Sequence, residues 1–182
     1  MKKHELTLTL CEGAVFIAAA LALSYLKVPV GFVFGGFGGS IDFVMLPLLV
    51  FAVRRGGVWG AGAGLLFGTL KFFVAGGAAV NWQSMLLDYT LAYGAVGLGG
   101  FLRRAKRPLL SATIMGCLAR FAVHFLSGVT IYAQYMPERF LELTMTEPWI
   151  YSLLYNGSYM LFNTLLALAL ALLLERPLAR FF

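Results

Sequence analysis

The chain has 182 residues, of which 60% are hydrophobic and 12% charged, and its net charge is +6. A soluble domain carries about twice that charged fraction, and a small globule cannot bury such an apolar majority because much of its surface faces water. Together with a mean hydropathy of +0.85, the composition excludes an ordinary soluble domain and predicts an integral membrane protein.

Apolar segments follow one another along the whole chain. They cover residues 6–28, 41–53, 57–75, 82–102, 108–132 and 148–174. The second segment is short, because a full crossing normally needs ~20 residues. Either this segment crosses with little tilt, or the uncharged Gly- and Phe-rich stretch 31–40 dips into the protein as a re-entrant cover. Residues 1–182 are therefore predicted to form a single all-α membrane domain, a bundle of six transmembrane helices.

The basic residues predict the orientation of these spans. If six spans alternate, most of the basic residues lie on one side of the membrane. These are Lys2, Lys3, Arg54, Arg55, Arg103, Arg104, Lys106, Arg107, Arg176 and Arg180. The loops on the other side hold Lys27 and Arg139 beside Glu138, Glu142 and Glu147. Because cytoplasmic loops are enriched in Lys and Arg, both termini are predicted to be cytoplasmic.

Two stripes of small residues repeat every four positions. Gly60, Gly64 and Gly68 form one on the third segment, and Ala14, Ala18 and Ala22 form the other on the first. Small residues let membrane helices approach closely. We expect the glycines to pack inside the bundle, whereas the alanines could pack internally or dock another membrane subunit.

Three polar residues on separate segments reach a common depth. Asp88, His124 and Asn156 lie roughly 9–12 Å inward of the aromatic residues that mark the outer interface, at the rise of an α-helix. Ionisable groups inside a span usually face an interior cavity, since exposure to lipid is costly. The three residues therefore predict a site in the outer half of the membrane. An internal ion pair of Asp88 with His124 or Arg120 is the structural alternative.

Other charged residues within spans have simpler explanations. Lys71 is near the outer end of the third segment and is predicted to snorkel outward. Glu12 is near the inner interface, where solvent or a contact with Lys71 could satisfy it.

The residues around the predicted site indicate a class of ligand. His124, Gly128 and Tyr132 share one helical face, and Gly128 is predicted to leave room for a flat ligand. A carboxylate, an amide and aromatic faces suit a planar heteroaromatic molecule with amino groups and a positive charge. The sequence carries no phosphate-binding glycine loop, no cluster with metal-ligand spacing and no hydrolase motif. We therefore expect neither an enzyme nor a resident cofactor.

Several stretches together resemble one transporter family. They are Val-Arg-Arg-Gly at 53–56, Leu-Asp-Tyr at 87–89, His-Phe-Leu-Ser-Gly at 124–128, Ala-Gln-Tyr at 133–135 and Tyr-Ser-Leu-Leu-Tyr-Asn-Gly at 151–157. With these, nearly the whole chain is similar to the thiamine-binding S-component of energy-coupling factor (ECF) transporters, the ThiT family.

The resemblance implies a six-helix vitamin-capture subunit in the cell membrane of a prokaryote, with the first loop as a lid. The matching ligand-contacting positions are Asp88, Tyr89, His124, Gly128, Tyr132, Tyr151 and Asn156. The matching docking stripe is Ala14, Ala18 and Ala22. The implied partners are a transmembrane coupling subunit and two ATPases.

The chain departs from the family pattern at three aromatic or acidic positions. Asp88 stands for the usual Glu, Tyr132 for a Trp on the fifth segment, and a glycine near Gly38 for the first-loop Trp. The expected ligand is therefore thiamine or only its hydroxymethylpyrimidine portion. A self-sufficient channel or proton-coupled carrier, with Asp88 and His124 as a relay, is the alternative from another class.

Overall fold

A computed structural model describes residues 3–30 and 39–182. This part of the chain contains six principal helices, so the predicted all-α bundle is confirmed. They are α1 (Lys3–Leu23), α2 (Met45–Arg55), α3 (Gly57–Val74), α4 (Trp82–Leu102), α5 (Pro108–Thr130) and α6 (Pro148–Leu178). One antiparallel hairpin pairs β1 (Lys27–Pro29) with β2 (Ser40–Asp42), and another pairs β3 (Arg139–Phe140) with β4 (Leu143–Thr144). The predicted lid, apart from residues 39 and 40, lies outside the described residues, as does Gly38.

Helix α2 is the short second helix that the sequence predicts. Its 11 residues extend about 16 Å, roughly half the hydrocarbon thickness. The other five helices are each long and apolar enough to cross a membrane. Nearly all of α2 is buried, and Gly56, with φ of +97°, lets α3 begin directly after it. Because β2 leads into α2, irregular backbone reaches deep into the bundle, which is tolerated where protein surrounds it.

The glycine stripe packs inside the bundle, as predicted, and brings α3 against α4. A Cβ added at Gly64 would lie 2.0 Å from the carbonyl oxygen of Tyr93, and one at Gly68 would lie 2.2 Å from that of Tyr89. At Gly60 it would meet the Cβ of Ala52 on α2 at 2.4 Å, so this glycine packs α3 against α2. Only residues without a side chain allow the two backbones to approach this closely.

The alanine stripe faces away from the bundle. Ala14, Ala18 and Ala22 are exposed, whereas the buried face of α1 carries residues such as Gly13 and Ile17. The alternative that these alanines pack internally is therefore wrong. A face of small residues is left on the outside of the helix.

An acidic residue near the middle of α1 ties this helix to the α2–α3 junction. Glu12 accepts hydrogen bonds from both Arg54 and Arg55, one through each carboxylate oxygen. Arg54 also donates to the carbonyl oxygen of Phe181 at 2.6 Å. Glu12 thus pairs with these arginines, and the predicted contact with Lys71 is wrong.

Candidate functional site

A cavity of about 280 Å³ lies among α3, α4, α5, α6 and the β1–β2 hairpin. It is lined by every residue that was predicted to contact a ligand: Asp88, Tyr89, His124, Gly128, Tyr132, Tyr151 and Asn156. Backbone of the α3–α4 connection, Gly76 to Ala78, forms part of its rim. The structure therefore brings the seven positions together, and their ligand contacts stay a prediction.

Asp88 and His124 are direct neighbours across the cavity wall. Oδ1 of Asp88 lies 3.1 Å from Nδ1 of His124. Asp88 belongs to a π-helical turn, Leu86–Leu91, within α4. Such turns add a residue to a helix and are frequent at functional sites. This turn was not predicted from the sequence, and it displaces Asp88 and Tyr89 from regular α-helical positions.

Asn156 uses its side chain to join α5 and α6. Its Nδ2 donates to the carbonyl oxygen of His124 and to Oγ of Ser152, both at 3.2 Å. Its Oδ1 accepts from the hydroxyl of Tyr159 at 3.1 Å. The amide is therefore held in one orientation at the cavity wall.

Gly128 is small for a different reason from the one predicted. A Cβ at this position would lie 2.1 Å from Oγ of Ser152 and 3.1 Å from Nδ2 of Asn156. The space beside Gly128 is thus occupied by α6, and the residue permits a close helix–helix contact. Gly128 does line the cavity. The prediction that its lack of a side chain leaves room for a flat ligand is wrong, because α6 fills that space.

Tyrosines of α6 form an aromatic wall. The rings of Tyr151 and Tyr155 are stacked with centroids 5.7 Å apart, and Tyr155 meets Tyr159 at 6.0 Å. Tyr159 in turn packs edge-on to His124 at 6.0 Å. Tyr151 and Asn156 both line the cavity even though they project in different directions from the helix. The π faces of such a wall attract cationic ligands.

Tyr89 and Tyr132 lie nearer the mouth. The hydroxyl of Tyr89 accepts from the backbone N–H of Ala78 at 2.9 Å and lies 3.2 Å from its carbonyl oxygen, which fixes the α3–α4 connection. Tyr132 is in a 3-10 turn, Tyr132–Tyr135, because α5 ends at Thr130. Burial, with Asp88 nearby, raises the pKa of Tyr132 well above its usual range. Its phenol therefore stays protonated and able to donate a hydrogen bond.

A buried charged cluster forms the floor of the cavity. Nζ of Lys71 lies 2.8 Å from Oδ2 of Asp42 and 2.6 Å from the hydroxyl of Tyr93. The Lys71 side chain is only 7% exposed, so the prediction that it snorkels outward is wrong. The carboxylate of Asp42 provides the counter-charge that makes burial of the ammonium tolerable. Asp42 was not among the predicted site residues, although it is the one acid in the apolar segment 41–53.

Arg120 completes this floor and does not pair with Asp88. Its Nη2 donates to the hydroxyl of Tyr93 at 3.2 Å, and its guanidinium stacks 4.4 Å above the centre of that ring. Within the described part of the chain, Nε and Nη1 of Arg120 and Nε2 of His124 are buried without a hydrogen-bond partner. Buried polar groups are normally satisfied. The two Arg120 nitrogens can donate to a ligand, whereas Nε2 of a neutral His124, whose Nδ1 donates to the Asp88 carboxylate, is an acceptor.

Comparison with known proteins agrees with this architecture. Residues 10–182 match the sequence profile of the family described as "Thiamine transporter protein (Thia_YuaJ)". The proteins named thiamine transporter ThiT of Lacticaseibacillus paracasei and Bacillus subtilis are 29% and 30% identical to the chain. These alignments cover 92% and 88% of this chain, and 87% and 86% of the two relatives.

A solved structure of ThiT from Listeria monocytogenes shares the fold. It superimposes with a TM-score of 0.81 at 24% identity, covering 97% of this chain and 98% of that one. The family match and the two relatives confirm the resemblance inferred from sequence. Because the family consists of transporters, the prediction that the chain is not an enzyme is confirmed as well. The match over residues 10–182 shows that the chain belongs to the thiamine transporter protein family.

Proposed function

We propose that the chain is the substrate-capture subunit (S-component) of an ATP-driven ECF importer, and that it binds thiamine from the extracellular side. The observation that carries this proposal is that Asp88, His124, Asn156 and a wall of tyrosines all line the same cavity. The relatives named as thiamine transporters support the choice of ligand.

The charges around the cavity favour one orientation of thiamine. Thiamine has a cationic thiazolium ring and a neutral aminopyrimidine ring that carries nitrogen acceptors and an amino donor. Asp88 and the tyrosine faces attract the cationic ring. Lys71 and Arg120 at the floor repel it, whereas the free N–H groups of Arg120 suit the ring nitrogens. We therefore place the thiazolium towards Asp88 and the pyrimidine towards the floor.

The hydroxymethylpyrimidine portion alone is the second candidate ligand. Asp88 is one methylene shorter than a glutamate and already contacts His124, so its reach into the cavity is reduced. Tyr132 offers a smaller stacking surface than an indole. Both features weaken the grip on the thiazolium and leave the contacts to the pyrimidine intact.

A self-sufficient proton-coupled carrier fits the structure less well. A relay from Asp88 and His124 would have to continue to the inner surface. Below the charged floor, however, the bundle is filled by an apolar core that includes Leu48, Leu49 and Phe51. The carboxylate of Glu12 on α1 is bound by two arginines and is not part of such a relay.

The exposed alanines provide the surface for the energising partner. Ala14, Ala18 and Ala22 lie on one outward face of α1, where a partner helix can approach closely. We propose that this face docks the transmembrane coupling subunit, which in turn carries two ATPases. The basic loops favour cytoplasmic termini, and we propose that the protein lies in the cell membrane of a prokaryote.

Two measurements test this assignment. Purified protein is titrated with thiamine, with hydroxymethylpyrimidine and with the thiazole alcohol, and thiamine is expected to bind most tightly. Uptake of labelled thiamine is then measured in vesicles with and without the coupling subunit and ATPases. Uptake by the chain alone, driven by a proton gradient, would favour the carrier instead.

A further inference from the structure

The basic end of the bundle contains a groove that is separate from the ligand cavity. It lies where α2, α3 and the end of α4 meet, and it has a volume of about 430 Å³. Its lining combines arginines, glycines and apolar side chains: Arg55, Gly56, Gly57, Val58, Trp59, Gly100, Phe101, Arg103 and Arg104. Arginines are the only charged residues in this lining.

The arginines of the groove differ in how they are satisfied. Arg55 is bound to Glu12. Arg103 and Arg104 are exposed, and neither forms an ion pair with an acidic side chain in residues 3–30 or 39–182. A Cβ on Gly56 would lie 3.5 Å from Nη1 of Arg103, so the guanidinium lies over the groove floor. Two unpaired cations thus face one shallow depression.

The rim of the groove is apolar and open to the outside of the bundle. Val58 is 74% exposed and Phe101 is 62% exposed, and both flank the arginines. Trp59 is partly buried beside them, and tryptophan is enriched at membrane interfaces. A ligand that fits must therefore carry a negative charge next to an apolar body.

We propose that this groove binds the headgroup of an anionic glycerophospholipid. Arg103 and Arg104 contact the phosphate, because guanidinium groups bind phosphate oxygens in a bidentate manner. The acyl chains lie against Val58 and Phe101. Basic pockets between transmembrane helices are suited to such lipids. The inference is independent of the vitamin bound in the cavity.

The chain itself offers a matched control. Lys106 and Arg107 belong to the same α4–α5 connection and are equally exposed, but they do not line the groove. The double variants Arg103→Gln/Arg104→Gln and Lys106→Gln/Arg107→Gln therefore remove the same charge from the same loop. Only the first double variant removes cations from the groove lining.

Native mass spectrometry of purified protein with phosphatidylglycerol or phosphatidylcholine tests the proposal. Wild type is expected to retain phosphatidylglycerol selectively, and Arg103→Gln/Arg104→Gln should weaken that retention about tenfold. Lys106→Gln/Arg107→Gln should change it about twofold at most. Equal losses in both double variants would mean diffuse attraction to basic loops and would overturn the proposal.

Two further arms keep the test decisive. Inorganic phosphate at millimolar concentration should not displace the lipid; if it does, the groove is a site for free phosphate and the lipid assignment is wrong. If the glutamine variant does not fold, Arg103→Lys/Arg104→Lys replaces it. Loss of the bidentate contacts with the charge retained should then weaken phosphatidylglycerol retention by about threefold. Unchanged retention would overturn the assignment.

Discussion

Oδ1 of Asp88 lies 3.1 Å from Nδ1 of His124, so a carboxylate on α4 and an imidazole on α5 meet at the wall of the cavity. The side chain of Asp88 is 17% exposed, which leaves it accessible from the cavity. The pair of Asp88 with His124 therefore also leaves a carboxylate at the cavity surface. His124 is fixed by this contact, and its Nε2 has no hydrogen-bond partner within the described part of the chain.

Removing either partner should weaken vitamin binding. We expect Asp88→Asn and His124→Ala each to raise the Kd at least about tenfold, since a hydrogen bond to a charged group contributes about 1.5–3 kcal/mol. Isothermal titration of purified protein measures the effect, and circular dichroism checks that helicity is retained. The control is Glu142→Gln, which removes an exposed acid that does not line the cavity. Unchanged binding in both variants would place the site elsewhere and leave the pair structural.

The Lys71–Asp42 pair should contribute strongly to stability. Lys71→Met leaves the Asp42 carboxylate buried without its counter-charge, which costs about 3–5 kcal/mol. The double variant Lys71→Met/Asp42→Asn removes both charges and should recover a large part of that loss. Thermal unfolding in detergent measures both. Arg139→Gln, which breaks an exposed pair, should shift the midpoint little. A Lys71→Met midpoint equal to that of wild type would contradict the buried pair.

The α3–α4 contact should not tolerate a side chain at Gly64. Gly64→Ala places a Cβ 2.0 Å from the carbonyl oxygen of Tyr93, so the helices must separate. We expect a loss of about 1–3 kcal/mol of stability, as overpacking typically costs. Gly62→Ala is the matched control on the same helix, because no atom lies within 4 Å of its added Cβ. Similar unfolding midpoints for the two variants would show that α3 and α4 are not packed as described.

The outward alanine face should be needed for transport and dispensable for binding. Ala14→Trp and Ala18→Trp are expected to abolish thiamine uptake in cells, because a bulky side chain separates packed helices. Binding by the isolated protein should change less than about twofold, since neither residue lines the cavity. Val15→Trp, at an exposed neighbouring position, should retain uptake. If uptake and binding are lost together, α1 packs differently and the docking assignment is wrong. Ala22 lies nearer the cavity, and its replacement should be less selective.

Much of this molecule could be predicted from sequence because membrane constraints are strong. Apolar segments and basic loops gave the six helices, and the common depth of Asp88, His124 and Asn156 indicated one site. The packing of Gly64 followed from the four-residue spacing of the glycines. These features depend on short-range patterns, which a sequence displays directly.

The floor of the cavity could not be predicted in the same way. The burial of Lys71 depends on Asp42, which arrives from a different element through the β1–β2 hairpin. Likewise, Gly128 is explained by Ser152 on the next helix. Nor does any local signal in the sequence indicate the π-helical turn that contains Asp88. Contacts between distant elements decide these features, and hydropathy does not encode them.

The central claim is that the cavity binds thiamine. Its most direct test is an isothermal titration of the purified chain with thiamine, repeated with Asp88→Asn under the same conditions. We expect saturable binding of one thiamine per chain, weakened at least about tenfold by the substitution. Absence of thiamine binding by a correctly folded wild-type chain, or identical affinities for the two proteins, would contradict the claim.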